Sequence, residues 1–209
     1  MRIYSPPKLI RNYFDDFIWT SEKGKILLTF DDSPNPGTTE LILSFLNTNS
    51  INALFFCIGN RLIKHSGLAK EIIEEGHTLG AHSFTHKKNY FLNKNILREI
   101  DCTNIAAEKM LNYRLKYFRP PYGRFDWRIK NALANRNMKM IMWSLLTYDY
   151  QNDLNIVKFS VSKYLRNNSI IVFHDNQKSK LIIIDSLKYL LNEVDRKGYE
   201  IGEPAECLK

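Results

Sequence analysis

Short apolar runs rich in β-branched and aromatic residues alternate along this chain with longer stretches whose apolar positions recur every three to four residues. The runs predict strands at Ile26–Phe30, Ala53–Cys57, Thr78–His82, Lys116–Arg119, Lys139–Trp143, Ile170–Phe173 and Tyr199–Ile201. The helical spacing predicts helices at Thr39–Leu46, Gly67–Glu75, Lys94–Asn112, Asp126–Asn135, Asn155–Arg166 and Lys180–Arg196. Local punctuation agrees: Pro36-Gly37-Thr38 precedes the first helix, and Gly76 and Gly198 end the second and the last. Such alternation calls for an α/β fold with a parallel sheet under helices, either doubly wound or closed as a βα barrel. No repeat or low-complexity linker interrupts it. Residues 1–209 are therefore expected to form one domain, with 1–23, which hold Pro6-Pro7 and the aromatic stretch Phe14–Trp19, as a leader laid against it.

Composition narrows the class only a little. With 44% hydrophobic and 25% charged residues the chain is an ordinary globule, neither collagen-like nor disordered. Cys57, Cys102 and Cys207 lack metal-pair spacing and are odd in number, so neither a disulfide framework nor a thiolate metal site is expected. No apolar run approaches the ~18 residues of a membrane span. Arg2, Lys8, Arg11, Asp15 and Asp16 break up the start, where a signal peptide would be apolar. The chain as given reads as cytoplasmic, or as periplasmic or cell-envelope if an export signal has been removed. The net charge of +8 is concentrated between Arg114 and Lys139, where eight basic residues face one acid, Asp126. That excess favours an anionic partner such as a cell-envelope polymer; no basic recognition motif points to nucleic acid.

In βα folds chemistry gathers at the carboxyl ends of the strands. There the sequence places Asp31-Asp32, then His82-Ser83-Phe84-Thr85-His86, Arg119-Pro120-Pro121-Tyr122-Gly123, Asp149-Tyr150 a few residues after Trp143, and His174-Asp175. Adjacent carboxylates repel unless a cation or donors sit beside them. Two imidazoles four residues apart can aim at one point, and with one carboxylate they make an open three-ligand site suited to zinc. Asp32, His82 and His86 form that set. Asp31 beside it is placed as a base, and His174 as an acid. Arg119 either orients a carboxylate or lies on the surface.

These motifs resemble the polysaccharide deacetylases of carbohydrate esterase family 4, the NodB-homology domain. Thr29-Phe30-Asp31-Asp32-Ser33-Pro34, His82-Ser83-Phe84-Thr85-His86, Arg119-Pro120-Pro121-Tyr122-Gly123 and Val172-Phe173-His174 occur in the family's order and cover about residues 24–204. The resemblance implies a distorted (β/α) barrel of about seven parallel strands. It implies hydrolysis of the N-acetyl or O-acetyl group of a glycan with a divalent metal, usually zinc, with cobalt or nickel as substitutes. It further implies that Asp31 is the base, that Arg119 steadies it, that the Tyr122 backbone N–H meets the oxyanion, and that Tyr150 and Val172 wall the acetyl slot. Three positions depart from the pattern: Ser33 replaces the usual Gly, Leu146 an Asp thought to tune the acid histidine, and Tyr150 a Trp. Asp149 is then expected to pair with Arg119 or His174; without such a partner the pKa of His174 should fall. Two other functions compete: a glycan-binding protein that keeps the metal site with little turnover, and a metal-dependent amidase acting on a small cytosolic amide.

Overall fold

A computed structural model describes residues 2–87, 96–125 and 129–208. Seven strands form one parallel sheet: β1 (Leu27–Ser33), β2 (Leu54–Cys57), β3 (Thr78–Ala81), β4 (Tyr117–Phe118), β5 (Lys139–Met140), β6 (Leu145–Leu146) and β7 (Ile170–His174). Their order is β5-β4-β3-β2-β1-β7-β6, a curled half-barrel with β2 at its centre and β1 between β2 and β7. Around it lie α1 (Lys8–Tyr13), α2 (Thr39–Thr48), α3 (Gly59–Lys64), α4 (Ser66–Glu74), α5 (Ile96–Leu111), α6 (Ile129–Ala134), α7 (Leu154–Tyr164), α8 (Ile183–Arg196) and α9 (Pro204–Cys207).

The central strands are continuous apolar runs because both of their faces are covered. Leu28, Phe30, Phe55 and Phe173 pack with Ile42, Leu46 and Leu187 of the helices. Leu27, Leu54, Phe56, Ile141 and Ile170 form the inner cluster, closed by Cys207 and Leu208. Strand alternation therefore puts Leu27, Thr29 and Asp31 on the inner face. All three cysteines are free, as expected.

Two sequence expectations need correction. Tyr199–Ile201 forms no strand; Ile201 makes only an isolated parallel bridge to Ile26. The seventh strand is instead Leu145–Leu146, a two-residue element that pairs with Ile171 and Val172. The expected helix starts at Lys94 and Asp126 lie outside the described residues, and α5 and α6 occupy the remainder of those two stretches. The N-terminal stretch packs Phe14 and Phe17 against Phe125. Its backbone also reaches both ends of the sheet: Ile18 pairs beside Met140 and Met142, next to β5, and the Tyr4 carbonyl accepts from Leu146 N–H on β6.

Part of the charge between Arg114 and Lys139 is paired within the chain, one pair buried and two at or near the surface. Arg119 pairs with Asp31, Lys130 with Asp16 and Arg136 with Asp101, so the stretch is less of a free basic surface than its sequence implies.

Candidate active site

The two aspartates of β1 can serve one site because the strand is irregular between them. Asp31 pairs with Phe56 and Ser33 with the next residue, Cys57, which leaves Asp32 as an extra residue in a bulge. Regular alternation would turn Asp32 toward the helices. Its left-handed backbone (φ 72°) turns it instead toward the strand ends, beside Asp31.

His82 and His86 sit in a loop, not on a helix. Ser83 and His86 are both left-handed (φ 63° and 55°), and the two ring centroids lie 5.0 Å apart. Glu99 of α5 pins this loop by accepting from the Phe84 and Thr85 N–H groups at 2.9 and 2.7 Å. The His82 Nδ1–H donates to the Arg119 carbonyl (2.8 Å), which leaves Nε2 with its lone pair facing the site. His86 is pushed down to about 4, first by burial and then by His82, and so stays neutral. Asp32 is held below its ordinary value: burial alone would raise it, but His174, His82, His86 and Asn176 outweigh burial.

One carboxylate oxygen of Asp32 lies 3.3 Å from His86 Nε2 and 4.0 Å from His82 Nε2. Ligands about 2.1 Å from a tetrahedral metal would be about 3.4 Å apart. Asp32, His82 and His86, whose ligand atoms all lie within 4.8 Å of one another, therefore form a group able to hold a metal ion.

Asp31 lies beside this group, its Oδ2 3.8 Å from His82 Nε2. Arg119, one of the two alternatives for which was a surface position, is fully buried. It donates to Asp31 Oδ1 (2.8 Å), the Thr29 hydroxyl (2.7 Å), and the Ile141 and Met142 carbonyls (3.1 and 2.9 Å), with its guanidinium 4.1 Å above the Phe56 ring. Four partners and an aromatic face fix this cation, and with it the orientation of Asp31.

On β7, His174 Nδ1 is 2.8 Å from Asp149 Oδ1, and the His174 backbone N–H donates to Asp149 Oδ2 (2.8 Å). Of the two expected partners, Asp149, from the turn after β6, therefore pairs with His174 and not with Arg119. Burial alone would lower His174, but Asp149 overrides it and, with the smaller effects of Asp32 and Asp31, the group is pushed up to about 9. Leu146 consequently does not leave His174 without a carboxylate; its side chain lines the cavity in register with Val172.

The cavity over these groups measures about 900 Å³. Tyr150 stands edge-on to His174 (centroids 4.7 Å apart), and Val172, two residues before His174, lines the same wall. Tyr122, left-handed after Pro120-Pro121 (φ 58°), lies with its ring 4.9 Å from that of His86. Next to it Gly123 (φ 64°) leaves room for Trp143, whose ring a Cβ there would meet at 2.4 Å. Eight of the ten expected residues line this cavity, and Arg119 and Asp149 are buried behind it, against Asp31 and His174.

Sequence reading does not reach Asn176, Arg61, Glu99 or Ile3, and it names Trp143 only as the end of a strand. Asn176 and Arg61 do follow strand ends, but unlike Arg119 they belong to none of the quoted motifs. Ile3 belongs to the leader, where the Tyr148 hydroxyl accepts from its N–H at 2.9 Å at the cavity edge.

A sequence model of the family "Polysaccharide deacetylase" matches residues 20–141. The peptidoglycan-N-acetylglucosamine deacetylase PgdA of Listeria monocytogenes is 30% identical over 181 residues, 84% of this chain and 37% of that protein. A peptidoglycan-N-acetylglucosamine deacetylase of Bacillus cereus is 27% identical over 198 residues, 93% of this chain and 72% of that one. The chain thus spans little more than a third of PgdA. Among solved structures, the Bc1960 peptidoglycan N-acetylglucosamine deacetylase superposes with a TM-score of 0.86 at 23% identity, covering 98% of this chain and 97% of its own. With the family match extending over more than half its length, the chain belongs to the polysaccharide deacetylases.

Proposed function

We propose that the protein is a zinc-dependent hydrolase that removes acetyl groups from the N-acetylated sugars of a cell-wall glycan of the peptidoglycan type, working as one domain over residues 1–209. The observation that carries this reading is the placement of the Asp32–His82–His86 group between two buried pairs of opposite task, Asp31 with Arg119 and His174 with Asp149.

Asp32, His82 and His86 would hold the metal, which when bound supplies Lewis-acid polarisation of a carbonyl and lowers the pKa of water. Asp31, kept oriented by Arg119, accepts the proton of the attacking water. His174, kept charged by Asp149, donates a proton to the departing sugar nitrogen. The Tyr122 backbone N–H faces the developing oxyanion. Tyr150 and Val172 form the apolar slot for the acetyl methyl. A cavity of about 900 Å³ suits a sugar chain better than a small amide. Among the described residues no helix is long and apolar enough to cross a membrane.

The test is acetate release from peptidoglycan fragments and chito-oligosaccharides, with zinc, with a chelator, and with Asp31→Asn. The expected result is release that the chelator abolishes, zinc restores and the variant lacks. If no acetylated glycan yields acetate at any pH with zinc, cobalt or nickel supplied, the hydrolase reading fails and glycan binding without turnover takes its place.

A further inference from the structure

Asp32 is held from two sides. Arg61 Nη1 donates to its backbone carbonyl (2.5 Å), and the Asn176 side-chain amide donates to Oδ2 (2.8 Å). The other oxygen, Oδ1, is the one that faces His86 and His82. The orientation of the Asn176 amide is set by its own turn. Its Oδ1 accepts from the Lys178 and Ser179 N–H groups at 2.9 and 3.2 Å, so the NH2 is the end that meets Asp32.

We infer that Asn176 is a positioning residue that divides the labour of the two Asp32 oxygens, engaging Oδ2 in a hydrogen bond and leaving Oδ1 as the single metal ligand. This rests on the metal-dependent reading above and adds a residue to it. A carboxylate that binds through both oxygens fills two coordination positions, one of which hydrolysis needs for water or substrate. A neutral amide donor prevents this by fixing the rotation of the carboxylate while leaving its full charge for the cation; a lysine in that place would cancel it. Asn176 also lies two residues beyond His174. The end of β7 thus carries the acid and the turn directly after it orients a ligand, so the two halves of the site keep a fixed spacing.

The experiment titrates the metal-free chain with Co²⁺ and competes it with Zn²⁺, comparing wild type, Asn176→Ala and Asn176→Asp, with circular dichroism and urea unfolding as controls for folding. Asn176→Ala should bind metal about 10–100-fold more weakly. Its visible cobalt spectrum should also change, as Oδ2 becomes free to join Oδ1 on the metal. Asn176→Asp keeps the acceptor that the Lys178 and Ser179 N–H groups need, so the loop is retained while the donor is lost, and its cobalt spectrum should also differ from wild type. Wild-type affinity and spectrum in either folded variant overturn the role of Asn176. A wild-type chain that takes up neither metal overturns the metal reading itself, and this role with it.

Discussion

Replacing Asp149 by Asn tests the origin of the charge on His174. The ordinary imidazole value is 6.5 and the folded value about 9. At ~1.4 kcal/mol per tenfold, the interval is worth about 3 kcal/mol in favour of the imidazolium, the net of burial, which opposes it, and of Asp149, which outweighs burial. Because the folded pKa is raised, this stabilisation is complete below pH about 6.5 and is lost as pH rises through about 9. Asn keeps the shape but removes the charge, so the stability gap between wild type and variant should be widest near pH 6 and narrow by up to about 3 kcal/mol toward pH 10. A pH-independent remainder of about 1–2 kcal/mol should persist, since the two Asp149 oxygens serve the His174 backbone N–H and Nδ1–H, and an Asn side chain offers one oxygen for both. Urea unfolding of the metal-free protein at several pH values measures both parts. A gap that stays flat from pH 6 to 10 within about 0.5 kcal/mol would refute the reasoning. In the active enzyme the same variant should move the alkaline limb of kcat/KM to lower pH, because the acid loses its proton sooner.

Other perturbations probe separate parts of the structure. Arg119→Met leaves Asp31 buried without its cation and should cost about 3–5 kcal/mol in denaturant unfolding; a cost below ~1 kcal/mol would mean the pair is not structural. Gly123→Ala drives a methyl into Trp143 at a left-handed position and should lose about 1–3 kcal/mol, with a changed Trp fluorescence; wild-type stability and emission would show that the ring yields freely. His86→Ala should lower zinc affinity, measured by equilibrium dialysis, by more than the 10–100-fold typical of a lost supporting contact. His77 is pushed down to about 4 by burial, so the stability it gives is full above 6.5 and lost as pH falls through about 4. His77→Gln should flatten that acid slope, and equal slopes would place the acid sensitivity elsewhere.

The long, doubly covered strands were legible because a run such as Ile170–Phe173 has no polar face to confuse its period. Leu145–Leu146 escaped because two residues carry no period at all, and the apolar stretch before them had already been assigned to Lys139–Trp143. Helix α3 escaped for a related reason: it has six residues, of which only Gly59 and Leu62 are buried. The site was more legible than the small elements, because aspartates and histidines at strand ends are chemically conspicuous. What sequence could not supply was orientation. The bulge at Asp32, the left-handed turns at Ser83 and His86, and the choice of His174 over Arg119 by Asp149 depend on backbone geometry that residue type does not encode.

The leader that spans both ends of the sheet has a further consequence. A half-barrel has two open edges, and an exposed edge is a template for pairing with another chain. Here one stretch of backbone guards both, with Tyr4 on β6 and Ile18 beside β5. The same stretch sets Ile3 at the rim of the cavity. Protection against self-association and the shape of the groove are therefore written in the same residues, so a change there that reshapes the groove also puts the solubility of the sheet at stake.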